Sequence, residues 1–241
     1  KEGINLNPED PNYDLFQLAL RVAAKRLNPT FSFMDSTFNS PFGTEVGYMG
    51  CRTRVMSNCC GPEETDGRGN LSFTTINLPR LAIRAKGDLD QFFKNVDEMV
   101  ELTIQQLLHR YKVQANLRVK DMPFLMGQKL YLDSDHLKME DKIETAIKHG
   151  SLSLGFIGLA ETLAALTGKH HGESVESNEL GHRIVGYLRQ LMDEAVEKYN
   201  LNFSLLATPA EGLSGRFVRM DQKEFGIIPG GTDKEYYTNS L

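Results

Sequence analysis

The apolar residues of this chain fall into two rhythms. Over residues 88–111, Leu89, Phe92, Phe93, Val96, Met99, Val100, Thr103, Ile104, Leu107, Leu108 and Tyr111 recur at spacings of three and four, as a helix with one buried face requires. Asp88 stands where a cap belongs. A similar period runs through 8–27, at Leu15, Leu18, Val22 and Leu27, with Asp10 or Asp14 to cap it, and through 176–199, at Ile184, Leu188, Leu191, Ala195 and Tyr199. The stretch 71–79, "LSFTTINLP", alternates instead, and neither alternate set is purely polar. That pattern predicts a strand covered on both faces, as in a parallel sheet or barrel. Residues 151–168 predict a short strand feeding a helix that ends at Gly168, and 203–217 predict a strand, a tight turn and a helix start.

The segments between are less regular. Residues 28–50 predict loop with short extended pieces, 113–140 are broken by Pro123 and Gly127, and 218–241 predict irregular chain. Strands alternate with helices, so the fold class is α/β. Ligands of such folds gather at the C-terminal ends of the strands. The two candidate places are the loop before strand 71–79 and the turn after strand 203–207.

Composition narrows the chemistry. The chain has 241 residues, with 27 Lys and Arg against 32 Asp and Glu, a net charge of -5. This is enough chain to bury a core without staples, and the acidic balance argues against sequence-independent nucleic-acid binding. No run approaches the roughly 20 apolar residues of a membrane span, and no signal peptide is visible; the expected setting is cytoplasmic. The chain begins at Lys1 and reads as a piece cut from something longer.

All three cysteines lie within "CRTRVMSNCC" (51–60). The odd count fits a reducing compartment better than a disulfide framework. A Cys59–Cys60 bond would be a strained ring. Zinc wants four ligands at spacings such as C-x2-C, and here the spacing is C-x7-C-C with no histidine nearby, so no metal site is expected. Cys59 and Cys60 read as small buried hydrophobes or loop positions. Arg52 and Arg54 beside Cys51 favour thiolate, yet a nucleophile also wants a base, and none of the six histidines is near in sequence. A hydrogen-atom carrier needs shielding from solvent more than it needs a base.

The turn "TPAEGLSG" (208–215) offers backbone N–H groups at a helix start, a natural cradle for phosphate. Thr208 and Ser214 add hydroxyls, and Gly212 and Gly215 allow close approach. Glu211 either satisfies free N–H groups of the first turn or does acid–base work toward a sugar.

Taken together, "MGCRTRV" (49–55), "GRGNLSFTTINLPRLAI" (67–83), "SLSLGFIGLAETLAALTG" (151–168), "LLATPAEGLSGRF" (205–217) and "PGGTDKEYYTNS" (229–240) resemble, in order, the anaerobic (class III) ribonucleoside-triphosphate reductases, which are glycyl-radical enzymes. The resemblance implies a ten-stranded α/β barrel of two half-barrels, with a finger loop carrying Cys51 at its tip. It implies that a glycyl radical takes hydrogen from Cys51, that the thiyl radical abstracts the ribose 3′-hydrogen, and that water leaves C2′ as a ribonucleoside triphosphate becomes a deoxynucleotide. Asn70 is the first match to an asparagine that bonds the ribose and Asn77 the second; as a strand amide, Asn77 could equally serve neighbouring backbone groups. Thr208, Pro209, Ala210, Gly212, Leu213 and Ser214 match the loop that holds substrate phosphates, with Glu211 near the ribose.

The same resemblance implies parts that this chain lacks: an N-terminal regulatory region with a second active-site cysteine, and a C-terminal region with the glycyl radical and a four-cysteine zinc site. Residues 1–241 are then the central-to-C-terminal part of the catalytic barrel domain and incomplete for turnover, with no cofactor in the piece itself. The implied partners are an S-adenosylmethionine iron–sulfur activase that generates the radical and a second copy in a homodimer, with no nucleic acid and no membrane. The rival expectations are a formate-lyase-type glycyl-radical enzyme and a non-catalytic nucleotide-binding barrel.

Overall fold

The computed structural model describes residues 5–26, 28–33, 36–37, 47–49, 53–55 and 57–240. Cys51, and Leu27 of the first predicted helix, lie outside the described residues. In chain order the elements are α1 (Tyr13–Arg26), β1 (Gly47–Met49), β2 (Thr53–Val55), β3 (Asn70–Asn77), α2 (Leu78–Ala85), α3 (Leu89–Ala115), α4 (Glu144–Ile147), β4 (Ser151–Ile157), α5 (Leu159–Thr167), α6 (Val175–Tyr199), β5 (Asn202–Ala207) and α7 (Glu211–Phe225). The chain divides into two units, residues 1–45 and 46–241.

In the first unit, Asp10 does not cap α1 with its side chain. Its carboxylate accepts the N–H groups of Leu6 and Asn7 at 2.9 Å each and closes the turn before the helix. Leu15, Leu18 and Val22, spaced as a buried face, are exposed.

The second unit is built on the parallel sheet β3-β4-β5. Parallel neighbours need crossovers of a dozen residues or more, and α2 with α3, then α5 with α6, supply them. Strands laid down in simple succession by same-handed crossovers place their helices on one face. On that face Ile76, Leu152, Leu154 and Phe203 meet Leu78, Phe92, Val96, Leu163 and Leu188 in a single apolar core. The other face carries Thr75, Ser153, Gly155 and Ser204 beside Phe73 and Leu206. Ser153 and Ser204 join across it through their hydroxyls at 2.8 Å. A satellite core around Val119, Met126 and Ile143 underlies the predicted irregular stretch, which includes 3-10 turns at Val119–Asp121 and Ser134–His136.

Two expectations are corrected. The strand over 71–79 stops at Asn77, because the Asn77 side chain accepts the Arg80 N–H at 3.2 Å and caps α2. Pro79 then sits in the first turn, where its missing N–H costs nothing. Residues 218–241 are not all irregular, since α7 continues to Phe225.

A buried carboxylate fixes α7. Asp221, 0% exposed, accepts Arg80 Nε and Nη2 at 2.6 Å each, Asn77 Nδ2 at 2.8 Å and the Tyr237 hydroxyl at 2.8 Å. Burial, then the bond to Asp221, pushes the Tyr237 phenol well above its ordinary range, so it stays a donor. Residues 226–240 return over the C-terminal edge of the sheet. There Gly158 N–H donates to Thr238 O at 2.6 Å and Ser240 N–H to Thr208 O at 3.4 Å. Glu161, also buried, takes Lys234 Nζ at 2.8 Å and the Thr238 hydroxyl and N–H at 2.8 and 3.1 Å.

Removing one member of a buried ion pair leaves the other unpaired at a cost of about 3–5 kcal/mol. Asp221→Ala is expected to lower unfolding free energy by about 3 kcal/mol, the low end of that range, because Arg80 keeps Glu224 at 3.4 Å. Arg84→Ala, which breaks an exposed pair with Glu224 and a loose contact over the Phe225 ring, should cost under about 1 kcal/mol. Urea midpoints of the two variants, measured side by side, check the contrast.

Candidate functional site

The C-terminal edge of the sheet gathers most of the residues that the sequence singles out. After β5, Thr208 N–H continues the ladder by donating to Phe156 O at 3.1 Å. Pro209 and Ala210 then turn the chain into α7. Ala210 offers no side-chain cap, so the first-turn N–H groups of Glu211, Gly212 and Leu213 have no acceptor among the described residues. These donors and the positive end of a 15-residue helix share one spot.

Gly212 is exposed, and a Cβ built on it meets nothing within 4 Å. Glu211 is exposed too, and its carboxylate has no bonding partner among the described residues. It caps nothing through its side chain and is free to face a ligand.

The hydroxyls behave differently from expectation. Ser214 is buried and its Oγ donates back to Glu211 O at 3.1 Å. Thr208 is buried and bonds the Thr75 hydroxyl at 3.0 Å. Both act as struts that shape the turn. The Thr75–Thr208 strut passes over Gly155 of the central strand. A Cβ there would come to 2.7 Å of Thr75 Oγ1 and closer still to Thr208 Oγ1. Thr75, Gly155, Asp221 and Glu161 escape sequence reasoning, because each looks like an ordinary strand or helix residue until the strands are paired.

The two candidate asparagines separate. Asn77 stands at this edge, but its amide is committed at both ends, to Arg80 N–H and to Asp221. Asn70 begins β3 and pairs with Ser151, about 23 Å away along the strand at roughly 3.3 Å per residue. The structure does not bring Asn70 to the turn 208–214. Cys51 lies in the three-residue segment that joins β1 to β2, which pair antiparallel with Met49 opposite Thr53; its placement is outside the described residues.

The opposite end of the sheet holds a second polar cluster. Asn58 Oδ1 accepts Cys60 N–H at 3.1 Å and Asn202 Nδ2 at 3.1 Å, which fixes the amide orientation. Its Nδ2 therefore donates to His149 Nδ1 at 3.0 Å, leaving His149 Nε2–H to donate to Asp133 at 2.8 Å. That bond holds the Asp133 carboxyl below its usual range. His149 is thus a buried positioning group with both ring nitrogens engaged. No group of three or more His, Cys, Asp or Glu able to hold a metal ion occurs among the described residues. Likewise, none of their helices is long and apolar enough to cross a membrane.

A family model described as anaerobic ribonucleoside-triphosphate reductase matches residues 1–241. An anaerobic ribonucleoside-triphosphate reductase of Escherichia coli (strain K12) is 40% identical over 252 residues, an alignment covering 100% of this chain and 34% of that protein. The Salmonella typhimurium protein of the same name is 39% identical with the same coverage. That of Enterobacteria phage T4 is 33% identical, covering 100% of this chain and 39% of its own length. The chain therefore spans about a third of the relatives it matches. Among solved structures, the anaerobic ribonucleotide reductase of Thermotoga maritima with glycerol in the active site superposes with a TM-score of 0.58 at 16% identity, over 97% of this chain and 35% of that one. The same enzyme with citrate gives 0.55 at 19% identity, over 71% and 29%. At such identities the likeness speaks for the fold alone.

The Gly155 contact makes a specific expectation. Gly155→Ala should cost about 1–3 kcal/mol, as overpacking does, because the added methyl must part the Thr75–Thr208 strut. Gly212→Ala should cost nothing, since its methyl enters open space and alanine favours helix over glycine by up to about 1 kcal/mol. Equal destabilisation of the two in urea titrations would contradict the geometry.

Proposed function

The chain belongs to the anaerobic ribonucleoside-triphosphate reductase family, and from that premise we propose that it is the part of such an enzyme that binds the ribonucleoside triphosphate and carries the reacting thiol, Cys51. The observation that carries this reading is the open N–H trio of Glu211, Gly212 and Leu213 at the strand-to-helix turn. An anion there is stabilised by about 0.3–2 kcal/mol from the helix terminus, and charge-assisted hydrogen bonds add to it. Thr208, Pro209, Ala210 and Ser214 shape this cradle and Gly212 opens it. Glu211 is the carboxylate left to face the ribose. Asn77 acts by capping α2 and bonding Asp221, while Asn70 belongs to the other end of β3.

The parallel sheet β3-β4-β5, with its helices packed on one face, has the character of one side of a larger barrel. The finer proposal is the ten-stranded barrel, its finger loop rising through β1 and β2 to Cys51. A barrel interior keeps water from a thiol that exchanges hydrogen atoms. A glycyl radical generated by a separate activase supplies the one-electron chemistry when the enzyme is complete. The proposal also includes a zinc site and a second copy of the enzyme in a homodimer. Cys51 is the hydrogen-atom carrier toward the ribose, and the turn 208–214 holds the triphosphate so that the sugar meets it. The whole-chain family match weighs against the formate-lyase-type alternative.

The test uses the full-length enzyme. Cys51→Ser is expected to abolish deoxynucleotide formation with folding intact, while Cys59→Ser and Cys60→Ser each keep most activity; wild-type turnover in Cys51→Ser would overturn the thiol assignment.

Gly212→Val is expected to weaken triphosphate binding with the fold unchanged. Glu211→Gln should preserve binding and lower the single-turnover rate. Unchanged affinity in Gly212→Val places the triphosphate elsewhere. These are read by nucleotide titration and rapid quench.

A further inference from the structure

The proposed reaction leaves Cys59 and Cys60 without a role, and the structure places them in a distinctive way. Their Sγ atoms face each other at 3.5 Å. Cys60 S–H donates to Asn200 O at 3.3 Å, so the hydrogen between the sulfurs is donated by Cys59. The backbone beneath them is pinned at both residues. Cys59 N–H donates to Asn202 Oδ1 at 2.9 Å and Cys60 N–H to Asn58 Oδ1 at 3.1 Å. Asn202 in turn donates to Asn58 Oδ1 and to the carbonyls of Lys148 and His149. Cys59 is exposed and Cys60 half-buried, and a cavity of about 110 Å³ opens beside Cys59, lined in part by Arg68 and Ser57.

This geometry suits a bridge better than a bond. A disulfide needs sulfurs about 2.05 Å apart and Cα atoms usually 4.4–6.8 Å apart, whereas adjacent Cα atoms across a trans peptide are about 3.8 Å apart. Direct oxidation must therefore strain a loop that the amide hydrogen bonds of Asn58 and Asn202 hold. An atom set between the sulfurs, bonded to both, needs no such closure. We propose that Cys59 and Cys60 form a vicinal-dithiol site that chelates a trivalent, thiophilic centre, a monosubstituted arsenic(III) or antimony(III) compound. With an arsine oxide, two As–S bonds form and the two S–H bonds and the As–O bond break. The oxygen leaves with both protons as water, and nothing is oxidised or reduced. Partial desolvation against the loop, then the bond to Cys60, raises the Cys59 thiol to about 11. Cys59 therefore arrives protonated, which discourages oxidants that react with thiolates.

The probe is phenylarsine oxide, added to the purified full-length protein under anaerobic conditions and followed by intact mass and thiol titration. The expected result is one phenylarsenic adduct on this segment, located by peptide mapping, with both thiols consumed. It should be reversed by 2,3-dimercaptopropanol and resistant to the same excess of 2-mercaptoethanol. Cys59→Ser and Cys60→Ser should each weaken binding by about 100-fold or more, the usual worth of a second tethered contact, while Cys51→Ser leaves it unchanged. A diamide arm should yield no Cys59–Cys60 disulfide. Absence of the adduct, its persistence in Cys59→Ser and Cys60→Ser, or ready closure by diamide to a disulfide would each overturn the proposal.

Discussion

A charge taken out of water must find donors, and the position of α7 follows from where Asp221 finds them. Its carboxylate is fully buried and receives Arg80, Asn77 and Tyr237. Those residues come from the start of α2, the end of β3 and the returning C-terminal segment. Such a pair adds little net stability over an apolar substitute, but it is directional where apolar packing is not. It sets the rotation and height of α7 against the sheet, and with them the place where the first-turn N–H groups of α7 point. Asn77 is the joint: one amide ends a strand, caps a helix and holds a second helix.

The two ends of the sheet use different chemistry for the same purpose. At the C-terminal edge, buried carboxylates (Asp221 and Glu161) draw in cations, hydroxyls and one backbone N–H. At the N-terminal edge, neutral amides and an imidazole, Asn58, Asn202 and His149, tie the loop that follows β2 to the bases of β4 and β5. Neutral amides lose less on desolvation than ions, so Asn58 and Asn202 can be buried there without a counter-charge of their own. The buried carboxylates, each matched by a cation, lie at the edge where the triphosphate is proposed to bind.

Much of the frame is legible in the sequence, and the gaps have physical causes. The two-sided strand, the strand feeding a helix at 151–168, the turn at Pro209 and the long helices α3 and α6 all follow from periodicity and punctuation. The length of α7 does not, because its buried positions are Ser214, Val218 and Asp221. Two polar residues stand where apolar ones would mark the period. The start of α2 is hidden because Leu78 extends the strand alternation by one step, and only the Asn-x-Pro order of Asn77 to Pro79 hints at a cap. At the site, Gly212 and Glu211 are legible as residues of a helix start. The Thr75–Thr208 strut is not, since it exists only once β3 and β5 flank Gly155.

Gly155 shows how a fold can be constrained from a residue with no chemistry of its own. The central strand is buried on both faces, and packing alone would favour a β-branched residue there. A glycine costs about 0.5–1 kcal/mol relative to alanine in such a position. Here it leaves room for two hydroxyls from the neighbouring strands to meet above it. That bond holds Thr208, whose N–H and carbonyl are bonded to Phe156 and Ser240, so the residue that begins the turn is fixed on three sides. The donors of Glu211 to Leu213 can then stay open without collapsing onto a protein acceptor, because the chain leading into them has no freedom left to turn.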